Sequence, residues 1–360
     1  MADPLALEQL WYGKDPASAF ARTLLTPASL VYGGAVGMRD ALYDVGWLRT
    51  HRAPISVVSV GNLTVGGTGK TPVAAWIARG LAARGARPAI VLRGYGDDEP
   101  LVHRSLNRSV PVIVGADRLA AVERAAADGA DIAVLDDGFQ HRRVARDVDI
   151  VLVSADQWGG AGDVRLLPAG PWREPLHAVR RATLVVVTCK ASCDDAVDRV
   201  HDRLATVAPI VPRVSVRIVP LDLVNTMDRS ETRSLFALAG LRIGVVASIG
   251  DPTAFVSQVS ALGPRFNPKV DARLFPDHHA FTDREVAEVA RDLKHVDMVL
   301  CTLKDAVKLA ARWPRLGPPL WYVSQDVQVE RGVGGLDSVL DGVVRARTSR
   351  TPRTPSQVAG

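Results

Sequence analysis

The sequence predicts an α/β fold made of two α/β/α units. The larger is a parallel-sheet P-loop NTPase domain, and a two-stranded linker joins the two. Three observations predict it. Residues 54–81 read as strand, glycine-rich loop and helix in succession. From residue 54 to about 209, β-branched apolar runs alternate with helical patterns. That alternation marks a parallel sheet with helices on both faces. Past residue 211 the texture changes, and a second, shorter alternation begins.

The run PISVVSV is rich in β-branched residues and reads as a buried strand. VAAWIARGL places apolar residues at helical spacing. Between them lie Thr64, Val65, Gly66, Gly67, Thr68, Gly69, Lys70 and Thr71. The glycines let backbone N–H groups turn inward around phosphate oxygens. The helix N-terminus adds partial positive charge. In such a loop Lys70 reaches the β- and γ-phosphates, and the Thr71 hydroxyl ligates Mg²⁺. Thr64 replaces the first glycine of the generic pattern. A glycine-rich turn with a capping Thr is the plainer reading. Strand, loop and helix together favour the phosphate loop.

Length and composition bound the rest. A chain of 360 residues accommodates two domains and a large core. Its 47% hydrophobic content is that of a soluble globular protein. The formal charge of +5 is too small to argue for nucleic acid, but suits an anionic substrate or a membrane surface. Cys189, Cys193 and Cys301 show no metal-type spacing, which fits a reducing compartment. No run of about 20 apolar residues predicts a transmembrane helix. The start MADPLALEQL is not a secretory signal.

Residues 1–52 precede the first strand and are rich in aromatics. Val31, Ala35, Met38, Leu42 and Val45 fall on one helical face, with Tyr43 and Trp47 beside it. One reading is a helix packed on its own domain. The other is a helix in the membrane interface, with Arg39, Arg49 and Arg52 meeting lipid phosphates. Strands are expected at 54–60, 88–92, 110–114, 131–135, 148–153 and 183–188, and helices at 70–84 and 117–128. Ligands on such a sheet bind at the C-terminal strand ends.

Three further motifs lie at those ends. In RGYGDDEP, residues 93–100, composition alone reads an acidic surface turn. The alternative is that Asp98 accepts a proton from a substrate hydroxyl. In IAVLDDGFQH, residues 132–141, the apolar run ending in Asp136 makes a Walker B strand whose carboxylate holds Mg²⁺. Asp137 follows at once, either as a second site carboxylate or as a cap or turn residue. In RLLPAGPWREP, residues 165–175, prolines stiffen a loop. Arg165 and Arg173 there can bind phosphate or pair with the carboxylates.

Past residue 211, VPRVSVRIVP alternates apolar and polar residues, as a two-stranded connection does rather than a buried parallel strand. A strand plus turn at 241–252, a strand at 297–302 and helices at 253–262 and 304–312 follow. The glycines of this unit lack a following Lys-Thr, so no second nucleotide site is expected. PDHHAFTDREV sets His278 and His279 before a capping box from Thr282 to Glu285. From Gly342 onward the chain is basic and rich in Ser, Thr and Pro, the composition of a disordered tail.

SVGNLTVGGTGKTP, RGYG, DEP, LDDGFQH, LLPAG with REPL, DHHAF and TLKDAVKL occur in this order. Together they resemble the tetraacyldisaccharide 4′-kinase family of lipid A biosynthesis, over roughly residues 20–325. The resemblance implies phosphoryl transfer from ATP, with Mg²⁺, to the 4′-hydroxyl of a tetraacylated, 1-phosphorylated glucosamine disaccharide. It also implies a monomer on the cytoplasmic face of the inner membrane, with that glycolipid and the membrane surface as partners. Lys70 and Thr71 then serve ATP and Mg²⁺, and Asp136 serves Mg²⁺. Asp98 matches the catalytic carboxylate, Asp137 supports the site, and His278 assists from the second domain. The implied divisions are 1–52 (membrane-interface helical segment), 53–210 (kinase domain), 211–325 (smaller α/β domain with linker) and 326–360 (C-terminal segment with basic tail). The family carries an insertion between RGY and DEP. Here only Gly96 and Asp97 intervene, which leaves Asp97 as the alternative catalytic carboxylate. A nucleotide switch or metallochaperone is the competing class. The paired carboxylates, the DHH run and the aromatic N-terminus favour the kinase.

Overall fold

The computed structural model describes residues 9–94, 98–158, 164–191, 194–250, 252–262, 270–277 and 279–348. Helix α1 (Pro16–Asp44) comes first. Then come β1 (Ser56–Asn62), α2 (Lys70–Ala83), β2 (Pro88–Leu92), α3 (Asp98–Leu106), β3 (Val112–Val114), α4 (Arg118–Ala127), β4 (Ile132–Asp136), β5 (Val148–Ser154) and β6 (Leu184–Cys189). After α5 (Asp194–Val207) and the long β7 (Arg213–Asn225), β8 (Thr232–Ser234) folds back on β7. The second unit holds β9 (Ile243–Ala247), α6 (Pro252–Ala261), β10 (Val270–Leu274), α7 (Asp283–Asp292), β11 (Met298–Cys301) and α8 (Leu303–Leu309). Strand β12 (Leu320–Arg331) and α9 (Val333–Thr348) return to the first unit.

Among the described residues all strands join one sheet, in the order β10-β9-β11-β12-β7-β6-β5-β1-β4-β2-β3. Pairing is parallel within each unit and antiparallel between β7 and β12. This is the expected α/β architecture with a two-stranded linker. The linker decides where the edges point. Strand β7 runs parallel to β6 as far as Arg217, then continues beside β12 to Asn225. Strands β11 and β9 run parallel to β12, hence opposite to β6. The C-terminal strand ends of the second unit therefore face those of the first.

The central strands are buried on both faces, as parallel strands under helices must be. Val58, Val60 and Ile150 pack with Val73, Ile77 and Leu81 of α2, while the alternate residues Val57 and Ala133 meet Ala121 and Val122 of α4.

Four sequence expectations are corrected. The acidic surface turn read in residues 93–100 is, from Asp98 onward, the first turn of α3. The first half of β7 is a buried parallel strand beside β6 as well as half of the linker. The tail expected to be disordered from Gly342 continues α9 through Thr348. Leu336, Leu340 and Val343 recur at helical spacing and bury against α2, each worth about 2 kcal/mol of apolar transfer. Arg84 adds ion pairs to Asp337 and Asp341. Finally, Arg39 is turned inward to Asp40 and Glu174 rather than outward to lipid.

Helix α1 starts at an Asp15 cap, whose carboxylate accepts the Ser18 N–H at 2.9 Å, with Pro16 in the first turn. One stripe holds it to the body. Ser29 Oγ donates to the Leu166 carbonyl and Tyr32 OH to that of Arg173. The other side is apolar and exposed, with Phe20, Leu24, Leu30, Val31, Met38 and, just beyond the helix, Val45 and Trp47. No described helix is long and apolar enough to cross a membrane.

Candidate active site

The glycine loop connects β1 to α2. Gly66 and Gly69 have φ of 114° and 85°, backbone that only glycine adopts cheaply. A Cβ on Gly69 would also meet Ile218 of β7 at 2.4 Å. Polar side chains lock the loop. Asn62 Nδ2 donates to Thr68 Oγ1 at 2.8 Å, Thr188 Oγ1 to the Thr68 carbonyl at 2.9 Å, and Lys190 Nζ to the Gly67 carbonyl at 2.7 Å. Lys70 donates to Asn62 Oδ1 at 3.2 Å. Burial pushes the Lys70 ammonium below its usual value, against the pull of Asp137 and Asp136.

Strand β4 lies beside β1 and delivers both carboxylates. Asp136 is buried at its end. Its Oδ2 accepts from Thr71 Oγ1 at 3.3 Å and lies 2.8 Å from His103 Nε2. Its Oδ1 is buried without a hydrogen-bond partner. Its carbonyl accepts from Arg118 Nη2 at 3.2 Å. Asp137 adopts φ of 53°, a left-handed conformation that costs a non-glycine residue energy. It turns the carboxylate toward Arg173 Nη1, at 3.0 and 2.9 Å, and toward Lys70, at 4.0 Å. Burial acts to raise the Asp137 carboxyl, but Lys70 and Arg173 outweigh it and hold it below its usual value.

Arg173 arrives on the proline loop, which pairs with the phosphate loop. Val65 N–H donates to the Pro171 carbonyl at 2.8 Å, and Arg173 N–H to that of Leu63 at 2.7 Å. The backbone and Cβ of Arg165 lie against Gly170. Asp98 opens α3, and its Oδ1 accepts the Glu99 N–H at 3.1 Å. Lys304, from α8 of the second unit, stands 3.9 Å from Asp98 Oδ2 and 2.9 Å from Asp277 Oδ1. A cleft of about 480 Å³ opens over Lys70, Thr71, Asp136 and Asp137, walled by Arg93, Glu99, Arg118, Gln140, His141 and Arg173.

The structure thus brings Lys70, Thr71, Asp136 and Asp137 together, with Asp98 close by on α3. His278 and Asp97 lie outside the described residues. His279 stacks on Phe275 and meets Glu285, and the Thr282–Glu285 capping box is present. Sequence reasoning missed His103, Arg118, Glu99 and Lys304. Arg118 had a partial signal, since it follows the helix cap Asp117. Glu99 and Lys304 lie in the DEP and TLKDAVKL motifs without having been singled out, and His103 carries no signal, because only packing places it.

The residues fit a magnesium nucleotide. The unpartnered Asp136 oxygen beside the Thr71 hydroxyl is a hard-oxygen donor pair, as Mg²⁺ requires. Lys70 and inward-turning glycines supply the phosphate side.

A family model described as tetraacyldisaccharide-1-P 4′-kinase (LpxK) matches residues 21–100 and 96–345. The two matches overlap at residues 96–100, beside the place where the resemblance implies an insertion. The chain is 38% identical to the tetraacyldisaccharide 4′-kinase of Anaeromyxobacter sp. (strain Fw109-5), over 94% of this chain and 96% of that protein. It is 37% identical to that of Xanthomonas euvesicatoria pv. vesicatoria (strain 85-10), over 83% of this chain and 86% of that one. Its fold is similar to the crystal structure of LpxK from Aquifex aeolicus in complex with ATP, with a TM-score of 0.69 and 27% identity, over 90% of this chain and 99% of that one.

Proposed function

The chain belongs to the tetraacyldisaccharide-1-phosphate 4′-kinase family, and on that premise we propose that it transfers the γ-phosphoryl of ATP to the 4′-hydroxyl of a tetraacylated, 1-phosphorylated glucosamine disaccharide. One observation carries the reading: Lys70, Thr71, Asp136 and Asp137 converge under a single cleft at the C-terminal ends of β1 and β4. ATP is the nucleotide of the Aquifex aeolicus relative.

In this reading the backbone of residues 64–69 cradles the phosphates. Lys70 follows the charge on the migrating phosphoryl group. Thr71 and Asp136 would hold Mg²⁺, which would supply charge neutralisation at the nucleotide phosphates. Asp98 accepts the proton of the acceptor hydroxyl, with His278 assisting from the second unit. Asp137, fixed by Arg173, keeps Lys70 in place while that lysine stays partly desolvated.

The acceptor carries acyl chains that cost roughly 0.8 kcal/mol per CH₂ to withdraw from a bilayer, so the enzyme works at the surface where they lie. The exposed apolar side of α1 supports docking there, at the inner face of the inner membrane. Arg49 and Arg52, both exposed, are left to meet lipid phosphates.

The test is ATP turnover in detergent, with and without the 1-phosphorylated tetraacyl disaccharide. The expected result is turnover that depends on the acceptor and gives a 4′-phosphorylated product. Slow hydrolysis indifferent to the acceptor would overturn the reading in favour of a nucleotide switch.

A further inference from the structure

Helix α3 carries a histidine that the roles above leave unused. His103 is fully buried, and its Nε2 lies 2.8 Å from Asp136 Oδ2. An ionised carboxylate can only accept, so Nε2 carries the hydrogen of this bond. Nδ1 is buried and has no hydrogen-bond partner. We propose that His103 is a positioning residue for the Mg²⁺-side carboxylate, aiming Asp136 Oδ1 into the cleft. This rests on the reading that Asp136 serves Mg²⁺.

The argument concerns a two-fold rotor. The terminal torsion of an aspartate is broad, so its two oxygens interchange unless something holds one of them. Cations surround Asp136. Lys70 and Arg118 both act on it electrostatically, and either could draw the carboxylate away from a metal. With Oδ2 occupied by His103 and Thr71, Oδ1 is left buried and bare. A ring N–H orients the group through one directed hydrogen bond. Lysine or arginine in the same place would always cancel the negative charge a cation needs.

The placement also links two parts of the site. His103 stands five residues after Asp98 on the same helix. Helix α3 therefore presents Asp98 at its start and braces Asp136 from its last turns. Residues that orient metal ligands from behind typically change metal affinity about 10–100-fold when removed.

The test uses the full chain and a non-hydrolysable ATP analogue, with affinity measured by calorimetry across a Mg²⁺ titration and again in EDTA. His103→Leu should raise the Mg²⁺ concentration for half-maximal tightening by about tenfold. Affinity in EDTA should stay at the wild-type value. His103→Gln, which can restore an N–H donor near the Nε2 position, should recover most of the loss. His103→Met replaces Leu if the latter does not fold. An unchanged Mg²⁺ requirement in the non-donor variants would overturn the proposal. So would equal weakening with and without metal, which marks a packing role alone. Asp136→Asn separates the two readings. If it keeps the wild-type Mg²⁺ dependence, the metal role of Asp136 fails and this inference goes with it. If Asp136→Asn loses that dependence and His103→Leu does not, only the positioning role fails.

Discussion

Each α/β unit buries an aspartate at the C-terminal edge of its strands, and the two are treated differently. In the second unit Asp305 follows β11 and is fully buried. Its Oδ1 accepts the Ser248 N–H at 3.0 Å and pairs with Lys308 at 3.4 Å, while Oδ2 accepts from Thr302 Oγ1 at 2.7 Å. Every oxygen has a donor. In the first unit Asp136 ends β4 just as deeply, yet one of its oxygens has no partner. Burying an unmatched acceptor costs free energy that folding alone does not return. The full set of partners at Asp305 fits a structural role, and the bare oxygen at Asp136 supports its proposed Mg²⁺ role. The strand–loop–helix connections agree. The first has glycines followed by Lys70 and Thr71, whereas α6 opens with Pro252, which has no N–H to offer a phosphate.

The comparison breaks most sharply at the two lysines. Lys70→Ala should lower turnover by roughly 10³-fold or more and leave the fold intact, because the lost charge acts on the migrating phosphoryl group. Lys308→Ala should leave turnover per folded molecule nearly unchanged. It should instead destabilise the protein by about 3 kcal/mol in urea unfolding, since Asp305 then keeps a buried charge without its cation. A Lys70→Ala enzyme with near wild-type activity would refute the phosphate-loop reading.

The carboxylates should fail in distinct ways. Asp98→Ala should lower kcat about 10²-fold or more with KM nearly constant, as for a group acting in the transition state. Asp136→Ala should act mainly on Mg²⁺-dependent nucleotide binding. If Asp97→Ala has the large kcat effect and Asp98→Ala a small one, the base moves by one residue.

The same logic extends to apolar surface. Val31 and Met38 on α1 are apolar and exposed, whereas the bare Asp136 oxygen is buried. Val31→Glu with Met38→Glu should release the protein from anionic liposomes in sedimentation. It should raise KM for the lipid acceptor several-fold and spare ATP affinity. Pelleting equal to wild type would place membrane contact elsewhere.

The smallest expected effect concerns a satisfied group far from both edges. Burial, then Arg213 and Arg331, hold the His201 imidazole below its usual value, and its Nε2 lies 2.6 Å from Ser215 Oγ. The fold thus favours the neutral ring. That contribution is present above the ordinary histidine value near about 6.5 and is lost as pH falls through the folded value. The melting temperature should fall on acidification from about pH 7.5 to 5.5, and His201→Gln should remove about 1–2 °C of that fall. A pH profile identical in the variant would show that other groups carry the effect.

The sequence by itself determined whatever is local and periodic. Residues 54–81 had to be strand, loop and helix, because β-branched runs, left-handed glycines and apolar spacing act over a few residues. The Walker B strand and the Thr282 capping box are legible for the same reason. Helices α3 and α9 were not, since prolines, acids and glycines obscure their patterns and packing against the first unit stabilises them. Only the tertiary structure decided which charges meet. Lys304 reaches Asp98 across more than two hundred residues of chain because β7 and β12 reverse the second unit and turn its strand ends toward the first. His103 meets Asp136 because α3 packs over the end of β4. Such contacts depend on where whole elements pack, and residue spacing along the chain does not encode that.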